Sequence, residues 1–186
     1  MMRSTSRVRG GASGSSPSAV ASRTCASRAA RTASGQPWWS TYAETGASGP
    51  TWCTAVIKAV ASVKSCGNLQ QAAQDLRDAA GQRNRLVADL AKLKVDRLPD
   101  HARLTAALNR AWQASASADN HYAAWADQVA GNKKKLCKKG QARVTDETQA
   151  GNRDSGTASQ QKKTAADLWN AIAREYGLTQ RQPVQL

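Results

Sequence analysis

The chain has no phenylalanine, and its apolar content rests mainly on alanine, with scattered leucine, valine and isoleucine and six tryptophans supplying the bulk. A seam built from alanine buries little area per residue, at roughly 25 cal/mol for each Å² of apolar surface, so its elements must approach closely and stability needs a further source. No stretch reaches the ~18 apolar residues of a membrane-spanning helix, and none reaches the ~7 that form the hydrophobic core of a secretion signal. No two cysteines stand in C-x-x-C spacing, and His101 and His121 are remote from them in sequence, which argues against a zinc site. There is no Gly-x-Ser-x-Gly elbow, phosphate-binding loop or dinucleotide fingerprint. Asp119, His121 and Asp127 share one helix, but no partner nucleophile can be named for them. The expectation is a non-catalytic protein with no cofactor and no bound metal.

Acidic residues are also scarce, and the formal net charge is +14. Its location matters more than its size. Residues 1–50 carry six arginines (Arg3, Arg7, Arg9, Arg23, Arg28 and Arg31) against one acid, Glu44. A second cluster comprises Lys133, Lys134, Lys135, Lys138, Lys139 and Arg143, with no acid between them. Together these stretches hold +11 of the total, so the periodic segments are close to neutral and no basic helix is poised for a nucleic-acid groove. The six residues of the second cluster are the candidate polyanion contacts.

Residues 1–48 are rich in Ser, Arg, Ala and Gly and lack the apolar periodicity that could offset ordering entropy, so a disordered, dispensable tail is expected. Its acid-poor character mimics an organellar transit peptide, but a disordered tail, or a start codon set in the wrong place, fits better. Trp38-Trp39 reads as a local hydrophobic contact against the remainder.

What is present is helical period. From Leu104 the stripe Leu104, Leu108, Ala111, Ser115, Ala118, Tyr122, Trp125, Val129 advances in alternating steps of four and three, which places it on one helix face. A first helix is expected from Pro50-Thr51 to about Cys66 with the stripe Trp52, Val56, Val60, Val63, and Gly67 supplies a left-handed residue past its end. Asn68 then caps a second helix with the seam Leu69, Ala73, Leu76, Ala80, Arg83, Val87, Leu90, where Gly81 and Arg83 predict a kink or a polar layer. Asp100, after Pro99, caps the third helix, which stops near Ala130-Gly131. A basic loop over 131–143 precedes a fourth helix opening at Thr145-Asp146-Glu147. Gly151, Asn152, Ser155 and Gly156 invite fraying of its early part, whereas Ala158, Ala165, Trp169, Ile172 and Tyr176 mark a strong later face ending at Gly177. Residues 181–186 read as an irregular tail.

Short links favour antiparallel neighbours, so the fold class expected for residues 49–180 is all-α, an antiparallel up-down-up-down four-helix bundle with coiled-coil-like seams. In that topology the ends of the first and third helices share a pole. Cys66 and Cys137 should therefore meet as a disulfide worth roughly 4 kcal/mol for a loop of this length. Cys53 falls at the opposite pole and Cys25 in the tail; the competing reading is four unrelated thiols in a reducing cytoplasm.

The words Cys66-Gly67-Asn68-Leu69, Val95-Asp96-Arg97-Leu98-Pro99, Ala118-Asp119-Asn120-His121-Tyr122-Ala123-Ala124-Trp125-Ala126 and Leu168-Trp169-Asn170-Ala171-Ile172-Ala173, with Tyr176-Gly177-Leu178, resemble an uncharacterised actinobacterial, Streptomyces-like helical domain. The likeness covers about residues 52–186 and includes positions equivalent to Cys66 and Cys137. It implies an extracytoplasmic bundle of the kind usually found behind a single membrane span, often following a proline-rich or zinc-ribbon cytoplasmic segment. This chain departs by carrying a Ser/Arg-rich tail in place of the span. Two functions are expected to compete. One is an extracytoplasmic or cell-surface binding or structural domain with a protein or cell-envelope partner. The other, if the start codon is correct, is a basic cytoplasmic protein holding nucleic acid or another polyanion weakly through the tail and the 133–139 lysines. The lysine loop lacks interleaved aromatics, which disfavours the second.

Overall fold

The structure, a computed structural model, describes residues 51–186, and their side chains from residue 55 onward. The expectations for residues 1–48 and for Trp38-Trp39 lie outside the described residues. The described part is mostly helical. In chain order it comprises α1 (Thr51–Lys64), α2 (Leu69–Leu90), α3 (His101–Gly131), a short α4 (Lys133–Leu136), strands β1 (Cys137–Lys138) and β2 (Gln141–Ala142), α5 (Asp146–Glu175) and a 3-10 turn (Pro183–Gln185). The segment expected as a basic loop is thus a helical turn followed by a small antiparallel hairpin, in which Cys137 pairs with Ala142 and Lys138 with Gln141.

The centre of the fold is α3, which packs along both α2 and α5, while α1 lies mainly against α2. Its eight stripe residues from Leu104 to Val129 are all buried, as the four-three spacing requires. The ion pairs Arg77–Asp127 and Arg83–Asp119 run α2 and α3 in opposite directions. Tyr122 with Asn152 and Ser117 with Asp154 do the same for α3 and α5. Two apolar clusters result. One joins Val56, Val60 and Val63 of α1 to Leu69 and Leu76 of α2 and to Tyr122, Trp125 and Val129 of α3. The other joins Leu90, Leu104 and Leu108 to Trp169 and Ile172.

Several helix ends differ from the sequence reading. The left-handed residue after α1 is Cys66 (φ 57°), not Gly67. Cys66 N–H donates to the Val63 carbonyl at 2.9 Å and Gly67 N–H to that of Ser62 at 2.8 Å, a Schellman closure with the cysteine in the position glycine usually holds. Asn68 and Asp100 sit at the N-caps of α2 and α3, but both are left-handed and neither side chain makes a capping hydrogen bond. Thr145 opens α5 in extended backbone with the pattern of a capping box, the Thr148 hydroxyl accepting from the Thr145 N–H at 3.2 Å. Gly177 (φ 64°) closes α5 as expected, with Leu178 N–H reaching the Ala173 carbonyl at 2.7 Å. Residues 181–186 fold back onto α5: Asn170 donates to the Arg181 carbonyl and accepts from its N–H, and Trp169 Nε1 donates to the Thr179 carbonyl. Tyr176 is exposed rather than part of the α5 face.

The early half of α5 is regular helix throughout. Its buried face runs Thr148, Gly151, Ser155, Ala158, Lys162, Ala165, Trp169, Ile172, in steps of three and four along the whole helix. Glycine at 151 permits close approach to α3, since a Cβ there would fall 2.8 Å from a ring carbon of Tyr122, whereas a Cβ at Gly156 would meet nothing within 4 Å. Gly151→Ala should therefore lower the melting temperature, the overpacking cost of about 1–3 kcal/mol exceeding the gain in helix propensity. Gly156→Ala should raise it, by up to about 1 kcal/mol of stability. Thermal unfolding of the two variants checks the pair, and equal stabilisation by both would contradict this packing.

Candidate functional site

Midway along the helices the buried seam turns ionic. Arg83 follows Leu76 and Ala80 on the inner face of α2, and Asp119 follows Ser115 on that of α3; they are 2 % and 3 % exposed and pair directly. This is the polar layer expected from Arg83, set in a continuous α2. Val56, Arg83, Ser115, Ala118, Asp119, Tyr122 and Ser155, drawn from α1, α2, α3 and α5, surround a cavity of about 10 Å³. That space suits about one water molecule and no organic ligand. The Ser115 hydroxyl is buried with no hydrogen-bond partner among the described residues. Lys162, two helical turns beyond Ser155 on the same face of α5, is buried too.

Tyr122 lies one turn past Asp119 and donates its hydroxyl to Asn152 Oδ1 at 2.8 Å. Burial pushes the phenol up to about 12, with the nearby Asp154 carboxylate adding to the rise and a hydrogen bond with Ser155 opposing it. A phenol held neutral in this way is a hydrogen-bond donor, not a base.

His121, beside the seam, is half-buried between two carboxylates of α5. Its Nδ1 lies 2.6 Å from Glu147 Oε2 and its Nε2 3.7 Å from Asp154 Oδ2. Ser117 donates to the same Asp154 oxygen at 2.5 Å. The serine hydroxyl is thus committed to a carboxylate rather than to the imidazole, so the nucleophile–base–carboxylate order of a hydrolytic triad is not assembled here. Asp119, His121 and Asp127 are not brought together. They face Arg83, Glu147 with Asp154, and Arg77 respectively. His101 Nδ1 is 3.1 Å from the Leu98 carbonyl at the opposite end of α3. Among the described residues no group of three or more His, Cys, Asp or Glu side chains is placed to hold a metal ion.

The third constellation is the pole where α1 and α3 end. Cys66 and Cys137 form a disulfide, with Cα atoms 6.2 Å apart across a sequence separation of 71. The thiols of Cys25 and Cys53 lie outside the described residues. From Cys137 the chain turns through Lys139 (φ 50°) and Gly140 (φ 73°), the paired positive angles of a two-residue hairpin loop that favours Asn-Gly. A lysine in the first of these positions costs on the order of 1 kcal/mol in backbone strain. The buried Trp125 fixes the far end of the hairpin by donating Nε1 to the Arg143 carbonyl at 2.9 Å. Arg143 N–H donates to Leu136, and Leu136, Cys137 and Ala142 pack on the core. Lys133, Lys134, Lys135, Lys138, Lys139 and Arg143 are all exposed on this platform. An open cleft of about 480 Å³ lies beside it, lined by Cys66, Asn68, Leu69, Gln70, Gln71, Ala130 and Lys133.

Sequence reasoning foresaw the disulfide and the basic cluster but not Lys162, the partners of Asp119 or the carboxylates around His121. Removing one member of the buried pair, by Arg83→Ala or Asp119→Ala, should destabilise the fold by roughly 3–5 kcal/mol, because it strands a desolvated charge. The double change Arg83→Met/Asp119→Leu should recover most of that loss in denaturant unfolding, and additive losses would refute the pairing. Tyr122 predicts an alkaline limit. Its folded pKa lies above the ordinary value near 10, so its contribution to stability is complete below about pH 10 and is lost as the pH rises toward 12. Phenolate absorbance should show a late ionisation step as the pH approaches 12, and a Tyr122→Phe variant should lack it. Comparison with family models, with curated proteins and with solved structures finds no match for this chain.

Proposed function

We propose that residues 51–186 are a non-catalytic, antiparallel up-down-up-down four-helix bundle serving as a binding or structural domain outside the cytoplasm or at the cell surface. The observation that carries this reading is the Cys66–Cys137 disulfide. Such a bridge persists in oxidising compartments and is rare where glutathione and thioredoxin keep thiols reduced. It also meets a need of this core, whose alanine-rich seams bury little area per residue, by joining the ends of two helices that the chain separates by 71 positions. The resemblance of residues 52–186 to an actinobacterial extracytoplasmic domain points the same way. The polar groups away from the disulfide pole support a structural role: Arg83 is spent on Asp119, Ser117 on Asp154, and the Tyr122 hydroxyl on Asn152. No helix among the described residues is long and apolar enough to cross a membrane.

Two measurements test the proposal. Reduction of purified protein should lower its melting temperature, with a loss of up to roughly 4 kcal/mol for a closed loop of this size. Protein extracted from its native host into an alkylating quench should give the Cys66–Cys137 peptide pair linked. Recovery of both cysteines as alkylated thiols would sink the extracytoplasmic assignment.

A further inference from the structure

We propose that the disulfide pole is a docking surface for anionic phospholipid headgroups, with Lys133, Lys134, Lys135, Lys138, Lys139 and Arg143 as its charges and Val144 as its apolar contact. The proposal needs the pole to be folded as described but does not need the compartment assigned above.

Basic clusters in loops are commonly no more than solvated chain. Three features set this one apart. It is anchored from beneath: the Cys66–Cys137 bridge, the Trp125 Nε1 bond to the Arg143 carbonyl and the packing of Leu136 and Ala142 hold the segment down while all six cationic side chains stay exposed. Their presentation as a patch therefore requires no further ordering of the backbone. The acids nearest in sequence are Asp146 and Glu147 at the start of α5; Glu147 is turned toward His121, and among the described residues neither acid forms an ion pair with any of the six cations. Finally, Lys139 occupies the left-handed position of the hairpin turn where asparagine is the favoured residue. An exposed charge kept in the turn against the backbone's preference is consistent with selection for a surface contact.

The chemistry of the patch selects among anions. Five of the six cations are lysines, compact hydrated charges that attract phosphate without the bidentate geometry with which arginine reads a base or a single phosphate. No aromatic ring lies between Lys133 and Arg143 to stack on a nucleobase. Residues 138–141 of the hairpin are all exposed, and the open cleft beside the platform carries Lys133 as its one charged lining residue, so the cations do not line a groove that a polymer strand could follow. Val144, 59 % exposed and next in sequence to Arg143, adds an exposed apolar side chain at the edge of the cluster. A layer of headgroups over acyl chains matches that combination. Near such a surface each basic residue contributes about fivefold to affinity.

The test uses the full chain, its arginine-bearing first fifty residues included, in flotation with phosphatidylglycerol-containing vesicles, pure phosphatidylcholine vesicles, inorganic polyphosphate and single-stranded DNA at fixed salt. Binding is expected to the phosphatidylglycerol vesicles and not to phosphatidylcholine. Lys134→Gln/Lys138→Gln/Lys139→Asn should weaken it about a hundredfold, from three charges at about fivefold each. Lys139→Asn alone should raise the melting temperature while lowering vesicle affinity, a divergence that a merely structural lysine would not give. Val144→Ser should weaken vesicle binding severalfold and leave polyphosphate binding unchanged. Wild-type affinity in the triple variant would overturn the proposal by assigning binding to the first fifty residues. Tighter binding to polyphosphate or DNA than to vesicles at equal phosphate, or no effect of Val144→Ser on vesicles, would overturn the lipid as the partner.

Discussion

Close approach of helix axes is the constraint from which the rest of this structure follows. Without phenylalanine, and with alanine as the commonest apolar side chain in the seams, the interior can reach protein-like density only if the helices come near enough for small residues to touch. The α3–α5 interface shows the solution. The bulk sits on α3, as Tyr122 and Trp125, and the facing part of α5 offers Thr148, Gly151 and Ser155. Gly151 is the limiting case, since the Tyr122 ring occupies the space its Cβ would need. Further along, the large residue passes to α5 as Trp169, against Leu104 and Leu108 of α3. Volume is thus exchanged between the two helices along their length, which fixes one register for the pair.

The buried charges are the second consequence of that geometry. Where the helices converge on a cavity no larger than one water, Arg83 and Asp119 lose nearly all contact with solvent, and their mutual attraction has to offset desolvation of both. An apolar pair of similar volume could match or exceed this contribution to stability. What the ionic pair adds is selectivity: sliding α2 by one turn on α3 would part the two charges in an interior that cannot hydrate them. With alanine faces so similar from turn to turn, such a slip would otherwise cost little packing. The same logic applies to Trp125 and Trp169, whose ring nitrogens reach out of the helices, Trp125 to the Arg143 carbonyl and Trp169 to that of Thr179. Each ties an irregular segment to one position on the seam.

The parts of this fold legible in the sequence are those written in large apolar residues at helical spacing. The α3 stripe, the Val56–Val60–Val63 face of α1 and the later face of α5 needed no structural knowledge, and short links between them sufficed to bring Cys66 and Cys137 together. The early half of α5 was illegible for a physical reason. A face of Thr148, Gly151 and Ser155 has low helix propensity and no hydrophobic period, and Gly151 is buried by tertiary contact with Tyr122. The N-caps failed differently, because Asn68 and Asp100 tolerate left-handed backbone as well as capping geometry, and composition does not distinguish the two roles. The left-handed turn after α1 was misplaced by one residue since glycine is the usual occupant, yet Cys66 takes that conformation at the end of the helix it joins to Cys137. Of the candidate site, the disulfide and the lysines were visible as residue types. The platform that turns a run of lysines into a presented surface was not, since it depends on Trp125 reaching the far end of the hairpin.

The two poles differ in how they close. At the pole opposite the disulfide, Asp100 and Gly177 are the left-handed residues, both of types that adopt this conformation readily. At the disulfide pole, Cys66, Asn68 and Lys139 are left-handed in addition to Gly140, and neither cysteine nor lysine favours it. Strained residues persist where their surroundings over-determine them, and here the determinants can be named: the Cys66–Cys137 bond, the two-residue hairpin and the tryptophan bond to Arg143. That this pole is both the most constrained and the most positively charged part of the described chain gives one cause for two otherwise separate facts. The constraint holds the charges in place, and the charges account for a turn that departs from the residues its geometry favours.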